Sequence, residues 1–450
     1  MSATEYSFPG DFVIKKLELK SFTGQIVDIR YMLIEFNIYE DLFNNTLSGD
    51  IVIEDSLNLI KYLPIVGQET ITIEYSTAGK NKLEDTVSLT FDCYKISKRA
   101  RSTERSQTYA IHFVSHELTE STRTKVSKAY NKPSSDIAKD LFTNHLKSKK
   151  TIFIEPSKYT DQVVFPMWEP LFCMNWLCKR SVSASGIGSD YVFFESVKGF
   201  YFVSIESLVG QPDSGETKSF IYKPSNTRDQ ENVGQRDPMS EFRAVEEFTV
   251  EDSFDTIGST TNGMYASKLI THDIVSKKIE TTEYNYLDEY ENHNHIEKNK
   301  IKIGQGITAT VSGAIDANGN RISDYSNSYI EFYPKHKQIH DSAQALEHVG
   351  QWFLPRISRL NQIESVKLSI VVVGDSSLKV GDVIHFYVPS YEEQTTDKKF
   401  DTYITGRYLI TAIRHQITPT AYKMVMEISK DCLSVPLPKA GEFSDALATS

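Results

Sequence analysis

The sequence's best candidate for a metal site is a short segment, 291–297, with two histidines and two acidic residues close together. Imidazole and carboxylate groups bind zinc, and alternation along a strand would place His293 and His295 on one face. No further cluster of such residues lies nearby in the sequence, so a solvated loop is favoured over a metal site. We therefore expect no bound metal and no cofactor.

The motifs of common enzyme classes are absent from the sequence. It has no phosphate-binding Gly-Lys-Ser/Thr loop, no His-Glu-x-x-His pair and no Gly-x-Ser-x-Gly elbow. Its 60 acidic residues allow many chance carboxylate pairs, but none stands in a distinctive apolar setting suited to glycoside hydrolysis. The basic run Lys98-Arg99-Ala100-Arg101 joins two predicted strands, which favours a solvated hairpin tip over a nucleic-acid contact. We expect a protein that is not an enzyme.

Length and composition indicate a folded protein of several domains. The chain has 450 residues, of which 40% are apolar and 24% are charged, a balance typical of chains with a buried core. The formal net charge of -11 disfavours tight nucleic-acid binding, which needs a basic surface. The sequence shows no secretory signal and no run of membrane-spanning length, so we expect no membrane insertion.

The four cysteines are too few for a disulfide scaffold and unsuitably spaced for one structural zinc site. Cys173 and Cys178 lie in an apolar helical stretch, and we expect both to be buried as small hydrophobic residues. The other two are Cys93 and Cys432.

A valine, a glycine and a polar residue precede a strand twice, and this repeated pattern organises the rest of the chain. Glycine permits a tight turn, and the polar side chain after it can accept hydrogen bonds from local backbone amides. Each copy is followed by a strand, a polar loop, a strand, a polar turn and a closing strand, which predicts two similar small β-barrels. The structural motif of the paired barrels is Val66, Gly67, Val380, Gly381 and Asp382.

The two copies differ by one residue. Ile71 lies four residues after Gly67, whereas Ile384 lies three residues after Gly381. A slip of one residue exchanges the two faces of a strand unless the turn absorbs it. The duplication therefore stands only if the two units superpose in spite of the slip.

The predicted fold class is α+β and mostly β, with two similar barrels, an α+β domain and a loop-rich insertion. A helix is expected over 342–353, ending at Pro355, and exposed loops over 277–305. The predicted parts are a first β-barrel (11–117), an α+β domain (118–210), a linker (211–240), a second β-barrel (241–275 and 365–433), an inserted loop and helix region (276–364) and a flexible tail (434–450).

This pattern resembles the baseplate hub subunits of contractile-tailed bacteriophages. These are related to the N-terminal part of type VI secretion spike proteins and to phage late-control tail proteins. The resemblance covers about residues 12–433, and segment 262–273 is its most specific part. The loops over 277–338 look longer than in the smallest members. The resemblance is carried by Ile65-Val66-Gly67, the helix around Trp176 that leads into 188–194, segment 262–273, and 380–384.

The resemblance implies a ring-shaped homotrimer in which two similar barrels per subunit form a pseudo-six-fold face. Such a hub joins the six-fold tail tube to the three-fold central spike, and DNA passes through its channel without specific binding. The implied partners are further copies of the chain, the spike, the tail tube or tube-initiator protein, and the tape-measure and baseplate wedge proteins.

The implied location is the baseplate of the virion tail, after assembly in the host cytoplasm. Two alternatives remain open at this point: a tail-associated cell-wall hydrolase, and the hub of a related contractile injection or secretion system.

Overall fold

The computed structural model describes residues 11–435 except 64, 78–85, 187, 212–217, 224–242, 275, 298, 301–318, 336–348 and 391–399. Most of the predicted linker and the tail from residue 436 lie outside the described residues. Within the described ranges, no helix is both long enough and apolar enough to cross a membrane.

Seven strands form the first β unit, defined here as residues 12–115. In the strand after Gly67, Ile71, Ile73 and Tyr75 are buried and alternate with partly exposed residues, as expected of a strand with one face on a core. A short helix, α1 (Leu59–Tyr62), begins where Asp55 accepts the backbone N–H groups of Leu57 and Leu59. The strands are β1 (Phe12–Lys20), β2 (Ile26–Asp28), β3 (Leu33–Asp41), β4 (Ser48–Asp55), β5 (Thr70–Thr77), β6 (Val87–Arg101) and β7 (Gln107–Ser115).

The α+β unit, residues 116–209, follows directly. Its apolar helix faces pack on a strand pair and a three-stranded sheet around a core that contains Cys173 and Cys178, both buried as predicted. Its helices are α2 (His116–Arg123), α3 (Ser134–Asp140, continued by a π-helical turn over Leu141–His145), α4 (Pro170–Arg180) and α5 (Ile205–Val209). Its strands are β8 (Val126–Pro133), β9 (Ile152–Ile154), β10 (Thr160–Trp168), β11 (Tyr191–Ser196) and β12 (Gly199–Ser204).

The second β unit is a closed barrel of six strands, β13-β14-β19-β22-β21-β20 in order around the barrel. Strand β13 closes the barrel, because it pairs in parallel with both β14 and β20. This strand falls in the range predicted as linker, where a short apolar run among polar residues gave too weak a signal. The strands are β13 (Ser219–Tyr222), β14 (Ala244–Ser253), β19 (Val366–Val373), β20 (Val383–Tyr387), β21 (Gly406–Ile417) and β22 (Tyr422–Lys430).

The two β units share one thirteen-stranded sheet, because β3 pairs with β21. The first unit has the strand order β2-β1-β5-β6-β7-β4-β3, and its described strands form no closing pair between β1 and β3. One closed barrel and one open sheet therefore replace the two barrels that we expected. Strand β21 covers the edge of β3 from Phe36 to Asp41, and no described strand takes the place of β13 beside Leu33.

The insertion forms a small sheet of its own, β16-β15-β18, with a long helix packed against it. The range predicted as exposed loops contains β16 and the buried Tyr284, Tyr286 and Tyr290. Residues 266–273, which we assigned to the second barrel, pair in this sheet instead. The elements are α6 (Thr256–Thr261), β15 (Ala266–Asp273), β16 (Ile279–Asn285), α7 (Tyr286–Glu289), β17 (Asn299–Lys300), β18 (Ile330–Lys335), α8 (Val349–Ile363) and β23 (Cys432–Leu433). Single 3-10 turns occupy Arg30–Met32, Tyr290–Asn292, Ile322–Asp324 and Ser326–Ser328.

Helix α8 continues through Pro355, where we expected it to end. Residues on both sides of the proline, among them Leu354 and Ile363, are buried, and this packing offsets the hydrogen bond that proline cannot make. Arg356, one residue later, donates from Nη1 to the backbone carbonyls of Cys178 (3.1 Å) and Tyr191 (2.8 Å). The predicted start of this helix, 342–348, lies outside the described residues.

Candidate functional site: the paired turns and the strand junction

The first turn is built around a glycine with a left-handed backbone and a carboxylate that accepts three amides. Gly67 has φ of +85°, a conformation that residues with a Cβ rarely adopt. The two oxygens of Glu69 accept the backbone N–H groups of Val66 (2.8 Å), Gly67 (2.8 Å) and Gln68 (3.0 Å). Val66 itself is 60% exposed. The side chain of Glu69 therefore holds this turn through hydrogen bonds to its own backbone.

The second turn uses the same backbone device in a buried setting. Gly381 has φ of +88°, and Asp382 accepts the backbone N–H of Lys379 at 3.1 Å and its Nζ at 2.6 Å. Val380 is fully buried, and its N–H donates to Oε2 of Glu40 in β3 at 3.3 Å. The first β unit thus completes the turn of the second.

The one-residue slip between the copies is absorbed inside the first turn. The carbonyl of Glu69 accepts the N–H of Cys93 (2.8 Å), and the carbonyl of Asp382 accepts the N–H of Ile410 (2.9 Å), so the two carboxylates are equivalent. Gln68 is the extra residue. From there the strands run in step: Ile71 lies opposite Phe91, Ile384 lies opposite Tyr408, and all four side chains are buried.

The equivalence extends through both units. The antiparallel order β5-β6-β7-β4-β3 in the first unit matches β20-β21-β22-β19-β14 in the second. A bulge between Cys93 and Lys95 in β6 matches one between Ile410 and Ala412 in β21. A second bulge, between Leu33 and Glu35 in β3, matches one between Val245 and Glu247 in β14. The two units share strand order, strand direction and the positions of two bulges. Because bulges occur at specific positions of a fold, we infer that the two units have the same fold.

The two units meet at the strand junction, defined here as the pairing of β3 with β21. Here β21 extends past the end of β20, and residues 412–417 pair with 41–36 of β3 in antiparallel register. His415 and Glu40 form a fully buried pair at 2.7 Å, and the other ring nitrogen of His415 lies 2.7 Å from the hydroxyl of Tyr422. Burial, together with neighbouring Tyr75 and Glu40, raises the pKa of Tyr422 well above its usual value. The hydroxyl therefore stays protonated and acts as a structural hydrogen-bonding group.

The candidate metal residues serve a different purpose. His293 lies 3.0 Å from Glu206 of α5, and His295 lies 2.6 Å from Asp431, just after β22. Both histidines are buried, so the favoured interpretation of a solvated loop was wrong. The imidazoles point to different carboxylates. Over the described ranges, no three His, Cys, Asp or Glu side chains are grouped closely enough to hold a metal ion.

These histidines belong to a buried ionic network that fixes the second β unit to the α+β unit and to α8. Arg359, 3% exposed, donates from Nη1 to Asp431 at 3.4 Å and from Nη2 to the carbonyl of Asn294 at 2.8 Å. Burial opposes ionisation of Asp431, but its bond to His295 and the charge of Arg359 hold its pKa at about 2. Each charged side chain named in this network lies next to a group of opposite charge or a histidine.

From the sequence we did not predict that Glu40 and His415 are buried. A signal was present: Glu40 follows Phe36 and Ile38 with a period of two, and His415 lies between Ile413 and Ile417 with the same period. Each is a polar residue at a core-facing position of its strand. The basic run 98–101 is exposed as we expected, but it forms the end of β6 beside the hairpin turn rather than the turn itself.

The chain is similar in sequence to one curated protein of a phage tail. The probable baseplate hub protein gp334 of Vibrio phage KVP40 is 22% identical over 447 residues, which cover 96% of this chain and 97% of that protein. No protein-family model matches the chain. The sequence resemblance to baseplate hub subunits is confirmed by this relative.

Solved structures share the fold. The 43 kDa tail protein of prophage MuSo2 from Shewanella oneidensis has a TM-score of 0.52 at 11% identity, covering 93% of this chain and 99% of that one. A tail protein from Neisseria meningitidis MC58 has a TM-score of 0.50 at 9% identity, covering 94% of this chain and 99% of that one. At these identities the likeness concerns the fold alone.

Proposed function

We propose that this chain is the structural hub of a contractile phage-tail baseplate. The observation that carries the proposal is the duplicated β unit, in which order, direction, turns and bulges recur within a chain that matches a hub relative over nearly its whole length. Two copies per chain and three chains give six similar units on a three-fold axis. Such a ring joins a six-fold tube to a three-fold spike.

The proposed partners follow from that position. The β units attach to the tail tube or a tube-initiator protein, and the α+β unit and insertion face the central spike, with tape-measure and wedge proteins as neighbours. Val66, Gly67, Val380, Gly381 and Asp382 set the turns of the two units and bind no ligand. The chain acts in the virion baseplate after assembly in the host cytoplasm and catalyses no reaction.

An acidic ring suits a DNA channel. The net charge of -11 favours repulsion between the chain and the phosphate backbone, so we expect DNA to pass without adhering. This part of the proposal predicts that purified protein fails to shift a DNA fragment in a gel at low salt. A retained fragment would contradict the passive channel and leave the hub itself intact.

The hub is tested by mass and shape. Light scattering of the full chain over a range of concentrations should give the mass of three copies, and electron microscopy should show a ring of six lobes around a channel. A monomer at every concentration and in the presence of the phage's own spike protein would contradict the hub. A muralytic assay on the same sample should show no cell-wall hydrolysis, and activity lost on replacing one carboxylate would contradict the non-catalytic proposal.

A further inference from the structure

The strand junction inside the chain has two halves, and each half has a counterpart elsewhere that lacks a partner strand among the described residues. In the junction, the part of β21 that extends past β20 receives β3. Its equivalent, β6, likewise extends past β5, which pairs only as far as Asp92. No described strand pairs with that edge of β6 from Tyr94 to Arg101.

The counterpart of β3 is β14, and its outer edge is open in the same way. Strand β13 pairs with β14 only at Ala244 and Val245. Beyond Val245, no strand in the described part of the chain pairs with this edge, and residues 249–253 are exposed. One chain therefore contains one complete junction, between β3 and β21, and two strand edges, on β6 and β14, that correspond to its two halves but have no described partner strand.

The two unmatched edges carry opposite charge. The β6 edge has four basic residues and no acidic one between 95 and 101, whereas β14 has four acidic residues and no basic one between 246 and 252. The basic set is Lys95, Lys98, Arg99 and Arg101, and the acidic set is Glu246, Glu247, Glu251 and Asp252. Charged residues on an edge strand also discourage unwanted pairing, but complementary sets on edges that correspond to a formed junction favour pairing with each other.

Both unpaired edges also contain a bulge that the corresponding strand of the internal junction lacks. Strand β6 has an additional bulge between Ser97 and Ala100, and β14 has one between Val250 and Asp252. The equivalent parts of β21 and β3 pair without these irregularities. The extra residues are basic in β6 and acidic in β14, where Glu251 is the unpaired residue of the bulge.

We propose that β14 of one chain adds to β6 of a second copy of this chain, in antiparallel register, and so repeats the internal strand junction between subunits. The internal pair Arg414 and Tyr39 translates into Ser97 of one copy opposite Asp252 of the next. Likewise Ile413 opposite Glu40 translates into Ile96 opposite Ser253. The contact is head-to-tail, and in a ring of three chains it alternates with the internal junction to give six junctions of one kind. This inference rests on the proposed trimeric hub.

A disulfide pair tests the register. In the full chain carrying Ser97→Cys and Asp252→Cys, mild oxidation should give covalent dimers and trimers on a non-reducing gel, because directly opposite residues of an antiparallel pair lie within disulfide distance. The four native cysteines are buried, which keeps the background low. The chain with Ser97→Cys and Thr249→Cys is the out-of-register control and should form far less covalent trimer.

The internal junction supplies a matched positive control. Tyr39→Cys with Arg414→Cys joins the equivalent pair within one chain and should give a disulfide-linked monomer. A trimer by light scattering that forms no disulfide between positions 97 and 252, while this control forms its own, would overturn the edge pairing and leave the trimeric hub standing. A chain that stays monomeric throughout would overturn the hub and the edge pairing together.

Exchange of the charges is a second test that does not depend on cysteine geometry. Lys98→Glu with Arg99→Glu should weaken trimer formation about tenfold or more, as should Glu251→Lys with Asp252→Lys, because each places like charges across the interface. Combining all four changes should restore the trimer. Equal weakening in the combined variant, with each chain still folded by circular dichroism, would contradict the proposed contact.

Discussion

The two turns are equivalent in backbone geometry but differ in what surrounds them. Val380 is fully buried beneath Glu40 of the first β unit, whereas Val66 is 60% exposed. Gly381 packs against Phe194 of the α+β unit, whereas the nearest atom to a Cβ at Gly67 would be the carbonyl oxygen of Tyr94. The first turn is therefore held by its own acidic side chain, whereas the second also depends on the neighbouring units.

The contrast between the two turns shows which contacts come from a neighbouring unit. One copy shows the junction completed, and the other shows the same strand edges without a described partner strand. Differences between equivalent positions thus separate what the β unit needs to fold from what it gains by assembly. Changes at equivalent residues in the two copies measure that separation directly.

The largest contrast is expected at Glu40 and its equivalent, Ser253. Replacing Glu40 with alanine removes the partner of His415 and the acceptor for the Val380 N–H. Loss of one member of a buried pair lowers the free energy of unfolding by about 3–5 kcal/mol. Ser253→Ala changes an exposed side chain and should cost less than about 0.5 kcal/mol in the monomer. Urea unfolding of both variants measures the contrast, and equal losses would refute the assignment of the junction as the buried site.

The loss of folding stability at low pH should arise mainly from the second β unit. The pKa of Asp431 is lowered from 3.8 to about 2: burial alone would raise it, but the His295 bond and the Arg359 charge outweigh burial. A carboxyl with a lowered pKa in the folded state adds stability that is complete above about pH 4 and is lost as the pH falls towards 2. The lowering corresponds to about 2 kcal/mol.

The residue of the first copy that is equivalent to Asp431 is His116, whose exposed side chain pairs with Asp92 at 2.8 Å. Unfolding should therefore be compared between wild type, Asp431→Asn and Asp92→Asn at pH 6, 4 and 3. The stability advantage of wild type over Asp431→Asn should shrink as the pH falls, whereas Asp92→Asn should stay within about 1 kcal/mol of wild type. A pH-independent difference for Asp431→Asn would show that its charge is not what the network stabilises.

The sequence predicted the duplication because turns and strand periodicity are local properties. Val-Gly steps, acidic residues after them and alternating apolar residues are visible without knowledge of the fold. Closure of the barrel by β13 was not predictable, because it depends on two parallel contacts with residues 23 and 166 positions further along the chain. The burial of His293, His295 and Glu40 was missed for a related reason: the partners Glu206, Asp431 and His415 are distant in sequence.

The smallest contrast concerns the glycines themselves. Alanine at either position forces a Cβ into a left-handed backbone, which costs about 1–2 kcal/mol. At Gly67 that strain is the main cost, because the nearest atom lies 3.4 Å from the added carbon. At Gly381 the added Cβ would lie 3.3 Å from the ring of buried Phe194, so the loss should exceed that at Gly67 by a few tenths of a kcal/mol. Thermal unfolding of Gly67→Ala, Gly381→Ala and Gly381→Ala with Phe194→Leu measures this, the double variant removing the ring contact. If Gly381→Ala lowers stability no more than Gly67→Ala does, the contact with Phe194 has no effect on the turn. Backbone strain alone then accounts for the glycine in both copies.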